Sequence, residues 1–227
     1  MPTVAKHTGG PGRPRQETRA PAVREALLQA ARDYFSSRGF QRASLRAIAS
    51  RAKVNPAMVH YYFGNKEGLF IAMLSETVGP LINELESLNE RDAGREALRG
   101  FLRQYAETLL KEPWLPNLLV REVMFQEGEV REAFIGRFAS RASGSLRGLL
   151  ERDIEGGDLP GHLDPALGAL GILSLIVFPF IAQPAVERAF KLDIDEDFVE
   201  RLTDHTVALF FGAANEPVHG DPKCEQE

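Results

Sequence analysis

Cysteine, tryptophan and long apolar runs are scarce in this sequence of 227 residues, which contains one cysteine and one tryptophan. The single cysteine, Cys224, has no partner for a disulfide within the chain, and no apolar segment with a small-residue cleavage site opens the sequence. The longest apolar stretch, residues 167–181, has 15 residues and includes Pro179, whereas a membrane-spanning helix needs about 20. We therefore expect a reduced, cytoplasmic protein that does not enter a membrane.

The residue spacings of metal and catalytic sites are also missing. The five histidines are scattered, and with one cysteine they form none of the spacings that metal sites use. The glycine-rich segment 9–12 is interrupted by Pro11 and lacks the Gly-Lys-Ser/Thr that follows in phosphate-binding loops. The acidic clusters at 153–158 and 193–197 are typical of solvated helix ends. We therefore expect no metal, no cofactor and no enzymatic activity.

Charge divides the chain into two unequal parts. Hydrophobic residues make up 44% and charged residues 26%, as in ordinary globular proteins, and the net charge is −5. Residues 1–66 carry 12 Lys and Arg against 3 Asp and Glu, whereas residues 67–227 carry 15 against 29. The first part therefore suits a polyanion, and the second part repels one. The alternative is that the basic residues only cluster in a solvated tail and on helix faces.

The spacing of apolar residues predicts helices throughout and no strand. Ser44 is a candidate cap for a short second helix, and Asn55 is a candidate cap for a third helix whose first position is Pro56. The expected helices cover about residues 21–38, 44–52, 55–63, 69–88, 92–111, 114–127, 128–154, 163–181 and 195–212. The fold class is therefore all-α.

Four segments are expected along the chain. Residues 1–20 contain six Pro and Gly residues and four Lys and Arg residues, which is typical of a disordered basic tail. Residues 21–68 are expected to form a three-helix domain, and residues 69–213 are expected to form a larger helical domain. Residues 214–227 are expected to be a flexible C-terminal tail.

Residues 44–63 have the form of a helix-turn-helix motif, in which a short helix, a tight turn and a second helix follow one another. The second helix of such a motif lies in the major groove of DNA. Val59 and Phe63, four residues apart, are expected to face the core of the small domain. The opposite face would read DNA, with Ala57, Met58 and Tyr61 on bases and Ser44, His60 and Tyr62 on phosphates. Including flanking charges and the cap, the candidate DNA-binding residues are Ser44, Arg46, Asn55, Ala57, Met58, His60, Tyr61, Tyr62 and Lys66. The alternative is that Tyr61 and Tyr62 only pack within the domain.

A run of residues between Arg24 and Leu74 carries a family resemblance. The run is Ala30-Ala31, Phe35, Arg38-Gly39-Phe40, Ser44-Leu45-Arg46-Ala47-Ile48-Ala49, Ala52, Val54, Tyr61-Tyr62-Phe63, Lys66-Glu67 and Leu69. It resembles the amino-terminal domain of the TetR/AcrR family of bacterial transcriptional regulators. Lys53 departs from the pattern where the family usually has a turn glycine, and His60 departs where it usually has a phosphate-binding tyrosine. The resemblance implies an all-helical homodimer with small DNA-binding domains and larger domains that bind a small molecule and dimerise.

Two apolar helices near the end of the chain are candidates for the dimer interface. Residues 163–181 contain Gly168, Gly171 and Ser174, three apart, which lets another backbone approach closely, and residues 195–212 are also apolar. Together they would leave a large apolar patch on a monomer, so a twofold four-helix interface is expected. Burial within one subunit is the alternative. The candidate interface residues are Gly168, Gly171, Leu175, Val199, Leu202, Thr206, Leu209 and Phe210.

Aromatic and aliphatic residues in the middle of the chain are candidates for a ligand pocket between helices. Such a pocket, with a few polar groups such as Arg121, Glu122 or Gln126, would take an apolar or aromatic small molecule. Plain core packing is the alternative for each residue. The candidate pocket residues are Leu98, Phe101, Leu102, Tyr105, Trp114, Arg121, Met124, Phe125, Phe134, Phe138, Ile172 and Phe178.

The expected function is that of a ligand-responsive transcriptional regulator, which is a repressor released from a palindromic operator by a small apolar or aromatic effector. It would associate with the nucleoid when bound to DNA. Gly12-Arg13-Pro14 is a candidate for minor-groove contact, with a merely solvated tail as the alternative. Two other functions remain open: a helical small-molecule carrier or sensor without DNA function, and an architectural DNA binder without an effector.

Overall fold

The structure, a computed structural model, describes residues 19–90 and 94–212. The tails predicted at 1–20 and 214–227 lie outside the described residues, except that the first helix already begins at Arg19. The all-α prediction is confirmed, because the described ranges form helices and no strand. The α-helices are α1 Arg19–Arg38, α2 Leu45–Arg51, α3 Ala57–Phe63, α4 Lys66–Glu90, α5 Arg95–Lys111, α6 Trp114–Leu119, α7 Glu129–Phe134, α8 Ser140–Gly156, α9 Pro165–Ile181, α10 Gln183–Ala185 and α11 Glu196–Phe211.

The first three helices pack with the beginning of α4 into a small unit, residues 19–74, which we call the head. Its core contains an aromatic cluster in which the Phe70 ring lies edge-on to Phe35 and Phe40, with ring centroids 5.1 and 5.3 Å apart. All three side chains are buried. Gly39 ends α1 with a positive φ of 78°, as glycine commonly does after a helix. The cluster therefore joins α1, the loop after it and α4.

The long helix α4 connects the head to the rest of the described chain, residues 81–212, which we call the body. Its first turns bury Leu69 and Phe70 in the head, so the predicted boundary at residue 68 falls inside a helix. Pro80 interrupts the internal hydrogen bonding of α4 near its middle. Beyond it, the Arg141 guanidinium of α8 binds both carboxylate oxygens of Glu86 at 2.7 and 2.6 Å, and this hydrogen bonding lowers the pKa of Glu86 below its ordinary value.

The body is built around α5, which packs against α4, α9 and α11, while α8 packs against α4 and α9. Two capping carboxylates set the starts of the last long helices. Asp164 accepts the Ala166 amide at 2.8 Å, and Asp195 accepts the Phe198 amide at 2.8 Å. The ends predicted for these helices therefore agree with the structure to within two residues.

The helices predicted at 114–127 and 128–154 differ from the structure. Helix α6 continues into a wider π-helical turn at Val120–Met124, and α7 continues through a second π-helical turn, Ile135–Ala139, into α8. A short helix, α10, and a third such turn at Val186–Phe190 lie between the helices predicted at 163–181 and 195–212, where no helix was expected because proline, here Pro184, commonly ends one. Proline is instead tolerated there because it stands in the first turn of a helix.

Within the described ranges, no single helix has both the length and the hydropathy of a membrane span. The required length and hydropathy are reached only when two neighbouring segments, Pro165–Ile181 and Gln183–Phe190, are counted together, and the chain bends by 77° between them.

Candidate nucleic-acid interface and ligand site

The turn between α2 and α3 is held by local hydrogen bonds. The Val54 amide donates to the Ala49 carbonyl at 3.0 Å, and the Asn55 side chain accepts the Ala57 amide at 2.9 Å, as predicted for a cap. Lys53 adopts a φ of 56°, so the lysine in the turn takes the left-handed conformation that glycine adopts more readily. Ser44 stands at the cap position of α2 but makes no capping hydrogen bond with its side chain. Its exposed hydroxyl is therefore available to another partner.

One face of α3 points away from the head. Tyr61 is 76% exposed, and Ala57 is exposed beside it, whereas Val59 is completely buried. Met58 and Tyr62 are intermediate, because both pack partly against the head core. The Tyr62 ring also lies edge-on to Tyr61 at 5.0 Å between centroids and so restrains its position. The outward face predicted from helical phase is therefore present, and its most exposed large side chain is Tyr61.

His60 is exposed and holds the end of α3. Its Nδ1 lies 2.8 Å from the Gly64 carbonyl oxygen, which requires a proton on Nδ1. The neutral ring then has an unprotonated Nε2, which accepts hydrogen bonds and does not donate them. Donation from His60 to a phosphate oxygen therefore requires the doubly protonated ring.

The cations of the head differ in their availability. Arg51 is paired with Asp33 at 2.7 Å, and the Lys66 ammonium lies over the Phe40 ring, 4.4 Å from its centroid. Arg42 and Arg46 are exposed and make no ion pair within the described part of the chain. Arg42, which precedes the α2 cap by two residues, was not among the predicted contacts. The only indication in the sequence that Arg42 could contact DNA is that it is a basic residue next to the helix-turn-helix motif.

The predicted pocket residues divide into an interior set and a surface set. Five of the apolar candidates are buried, and Tyr105, Trp114 and Phe134 are partly buried around them. The buried five are Leu98, Phe101, Leu102, Phe138 and Ile172. Met124, Phe125 and Phe178 are 62%, 77% and 59% exposed, so the prediction that they line an interior pocket does not fit the structure. The π-helical turn and the loop after it carry the first two to the surface, and Phe178 lies on the outer face of α9.

Tyr105 contributes a polar group to the interior set. Its ring stacks on Phe101 with centroids 6.2 Å apart, and desolvation by burial raises the pKa of Tyr105 to about 12. The hydroxyl makes no hydrogen bond to any of the described residues. The hydroxyl is not among the fully buried polar atoms that lack a partner, so solvent reaches it, and the protonated phenol can donate to water or to a ligand.

The predicted dimer residues also divide between core and surface. Val199 and Thr206 are buried within the subunit and cannot contact a partner. Gly168 is buried as well, since a Cβ atom there would lie 3.0 Å from Leu150, and one on Gly171 would lie 3.3 Å from Phe210. These glycines let α9 pack closely on helices of its own subunit, so the assignment of Gly168, Val199 and Thr206 to an interface is corrected. Leu175, Leu202 and Phe210 are partly buried.

An exposed apolar face nevertheless remains on α9 and α11. Leu167, Leu170 and Phe178 on α9 are 67%, 61% and 59% exposed, and Leu209 on α11 is 52% exposed. These spacings place the three α9 side chains on one side of the helix, opposite the buried Ile172 and Ile176. Such a face on a folded domain is typical of a protein interface.

A cleft of about 200 Å³ separates the head from the body. Phe40 and Lys66 line it on the head side, and Glu122, Gln126 and Val130 line it on the body side. Among the described residues, no three His, Cys, Asp or Glu side chains are grouped as the ligands of a metal ion would be.

Comparison with known proteins adds sequence and fold relationships. A family model described as bacterial regulatory proteins of the tetR family matches residues 27–73. The chain is 31% identical over 144 residues to the HTH-type transcriptional repressor NicS of Pseudomonas putida, in an alignment covering 63% of this chain and 66% of NicS. The alignment thus spans slightly less than two thirds of that curated relative.

Two solved structures share the whole architecture. NalD, the secondary repressor of the MexAB-OprM multidrug efflux pump in Pseudomonas aeruginosa, superposes with a TM-score of 0.67 at 25% identity. That match covers 85% of this chain and 98% of NalD. SmeT in complex with triclosan superposes with a TM-score of 0.67 at 22% identity, covering 88% of this chain and 98% of SmeT. The arrangement of head and body therefore recurs in these proteins.

Proposed function

The chain belongs to the TetR family of bacterial regulatory proteins, and from this membership we propose that it is a ligand-responsive, DNA-binding transcriptional regulator. The proposed mode is repression in the cytoplasm, with a homodimer bound to a palindromic operator and released by a small apolar or aromatic effector. The observation that carries this proposal is the outward face of α3, where Tyr61 is 76% exposed on a basic head.

The proposed DNA contacts follow from this geometry. With α3 in the major groove, Ala57 and Tyr61 face base edges, and Met58 and Asn55 lie at the start of the same helix. Ser44, Arg42 and Arg46 are proposed to contact the phosphate backbone, since the hydroxyl and both guanidinium groups are exposed. Tyr62 supports Tyr61 at the edge of this face, and His60 contacts phosphate when its ring carries two protons. Lys66 reaches a phosphate only by leaving the Phe40 ring.

The first test replaces Tyr61 with alanine. A duplex selected from a random-sequence library by the wild-type protein serves as the specific probe, and a scrambled duplex serves as the nonspecific one. The Tyr61→Ala variant is expected to lose about 1–3 kcal/mol of discrimination between them, because a base contact is removed while phosphate contacts remain. Fluorescence anisotropy titrations of both duplexes measure the effect.

The control for this test is Arg46→Ala. It is expected to weaken both duplexes alike and to reduce the salt slope of binding by about one, because it removes a phosphate contact. A wild-type protein that selects no sequence contradicts the proposed function. A Tyr61→Ala protein with the wild-type affinity ratio contradicts only the assignment of Tyr61.

The proposed homodimer rests on the exposed face of α9 and α11. Replacing Leu170 with glutamate places a charge in the middle of this face and is expected to convert a dimer into a monomer. Sedimentation equilibrium measures the mass, and Gln104→Glu on the exposed side of α5 is the control. A Leu170→Glu protein that remains dimeric would place the interface elsewhere.

The proposed effector site is the interior set around Tyr105. Leu98, Phe101 and Ile172 offer an apolar surface, and the unpartnered phenol offers one hydrogen bond. SmeT, which shares the fold, has been solved in complex with triclosan, and this supports a small-molecule ligand. Effector binding would favour a body conformation in which the two heads no longer fit successive major grooves, so that release follows from differential affinity.

A further inference from the structure

The head and the body are joined by a compact set of polar contacts as well as by α4. Arg121 Nη2 donates to the Phe35 carbonyl oxygen at 3.0 Å, and the Phe40 amide donates to Glu122 Oε1 at 3.1 Å. The Arg121 Nε also donates to the same Glu122 oxygen at 2.7 Å. We call Arg121 and Glu122 the latch. Its partners in the head are backbone groups on either side of Gly39.

Glu122 is a buried carboxylate, with 5% of its surface exposed. Burial of an ionised carboxylate is costly unless hydrogen bonds and an opposite charge compensate for it. Here the Phe40 amide and the Arg121 guanidinium provide both. The guanidinium in turn lies at the C-terminal end of α1, where the helix dipole favours a cation, and it shares the Phe35 carbonyl oxygen with the Gly39 amide. Each member of the latch therefore depends on the other and on the head.

The local backbone is adapted to this contact on both sides. The π-helical turn Val120–Met124 carries both Arg121, which binds the Phe35 carbonyl, and Glu122, which binds the Phe40 amide, and such turns are frequent at functional sites. On the head side, a Cβ atom at position 39 would lie 2.7 Å from Glu122 Oε1. Glycine therefore leaves the space that the carboxylate occupies.

The latch matters because α4 alone is a weak support for the head. It is the one stretch of chain that joins the two units, and Pro80 interrupts its hydrogen bonding. Contacts away from this axis hold the head at one angle: α1 packs on α6, and the latch adds hydrogen bonds at the end of α1. A neighbouring contact, in which Arg32 lies 3.6 Å from Glu112 and over the Trp114 ring, reinforces the same side of the joint.

We propose that Arg121 and Glu122 are a positioning pair that fixes the angle of the DNA-reading head relative to the body. The part of this proposal that concerns DNA rests on the proposed function. The part that concerns the joint between head and body does not rest on the proposed function, and separate experiments measure the joint and DNA binding. Loss of the latch leaves the reading face of α3 chemically intact but lets its orientation vary.

The test compares Glu122→Ala and Glu122→Gln with Glu127→Ala, which removes a carboxylate of the same cleft that pairs with Arg131 of the body. In Glu122→Ala, hydrogen exchange of the Phe40 amide is expected to accelerate at least about tenfold, because its acceptor is gone. Emission from Trp114, the single tryptophan, is expected to shift, since this ring lies at the joint. Glu122→Gln keeps an acceptor oxygen and is expected to restore most of the protection. Glu127→Ala is expected to match the wild type.

The DNA arm uses the selected and scrambled duplexes described above. Glu122→Ala is expected to weaken the selected duplex between about 3- and 30-fold, with little change for the scrambled duplex. Glu122→Gln is expected to recover part of the loss, which a general loss of folding would not allow. Unchanged Phe40 exchange in Glu122→Ala overturns the latch. Faster exchange in Glu122→Ala with an unchanged ratio of the two DNA affinities overturns the positioning role of the latch. A wild-type protein without sequence preference overturns the proposed function, and the exchange of the Phe40 amide then still tests the latch.

Discussion

Replacing Phe70 with alanine is expected to lower the free energy of unfolding of the head by about 3–5 kcal/mol, the usual cost of removing a buried phenylalanine. Phe70 is fully buried, and its ring lies edge-on to both Phe35 and Phe40, with centroids 5.1 and 5.3 Å apart. The cavity would separate α4 from both α1 and the loop that follows it. DNA binding is expected to be lost at the same time, because α3 packs on α2 and α4 and depends on the position of α4.

The measurement is urea unfolding followed by circular dichroism at a fixed protein concentration, since dimerisation makes stability depend on concentration. Phe190→Ala is the matched control, because the same side chain is 70% exposed at that position. Its stability is expected to stay within about 0.5 kcal/mol of the wild type, as for ordinary surface substitutions. Equal losses in the two variants would show that the aromatic cluster does not stabilise the head.

Replacing Gly39 with alanine is expected to cost about 3 kcal/mol, from two sources that add at one position. The φ of 78° is unfavourable for a residue with a side chain. The new methyl group would also lie 2.7 Å from Glu122 Oε1 and would push the carboxylate away from the Phe40 amide. The loss is therefore expected both in stability and in the angle of the head.

Gly157 supplies a matched control for Gly39. It ends α8 with a φ of 82°, and no atom lies within 4 Å of the Cβ that alanine would add. Gly157→Ala is expected to cost only about 1 kcal/mol, which is the conformational part alone. The excess at Gly39 is expected to disappear when Glu122 is also changed to alanine, in a double-mutant cycle. An excess that persists in the double variant would show that the methyl group and the carboxylate do not compete for space.

Most of the secondary structure was determined by local features of the sequence. Apolar residues at helical spacing marked the long helices, because one side of each helix is buried against the rest of the fold. Asn55 was recognisable as a helix cap, since capping depends on atoms within three residues. The exposure of Tyr61 followed from its position relative to Val59 on the same helix. These features are all set by neighbours in sequence.

The tertiary structure decided which faces of the apolar helices α9 and α11 are buried within the subunit and which are exposed. The sequence indicated that α9 and α11 were too apolar for a monomer surface, but it did not indicate which side of each helix packs within the subunit. Gly168 and Thr206 proved to be buried, whereas Leu167 and Leu170 are exposed on the opposite side of α9. Helical phase identifies two faces of an apolar helix, and only the packing partners select between them.

The joint between the head and the body was beyond local prediction for the same reason. Arg121 was expected to serve a ligand pocket, whereas it binds a backbone carbonyl 86 residues away, and Glu122 binds an amide 82 residues away. The π-helical turn that presents both side chains has no distinctive composition. Contacts between residues so far apart leave no periodic trace in the sequence. They exist only once the two units have packed and removed the carboxylate from water.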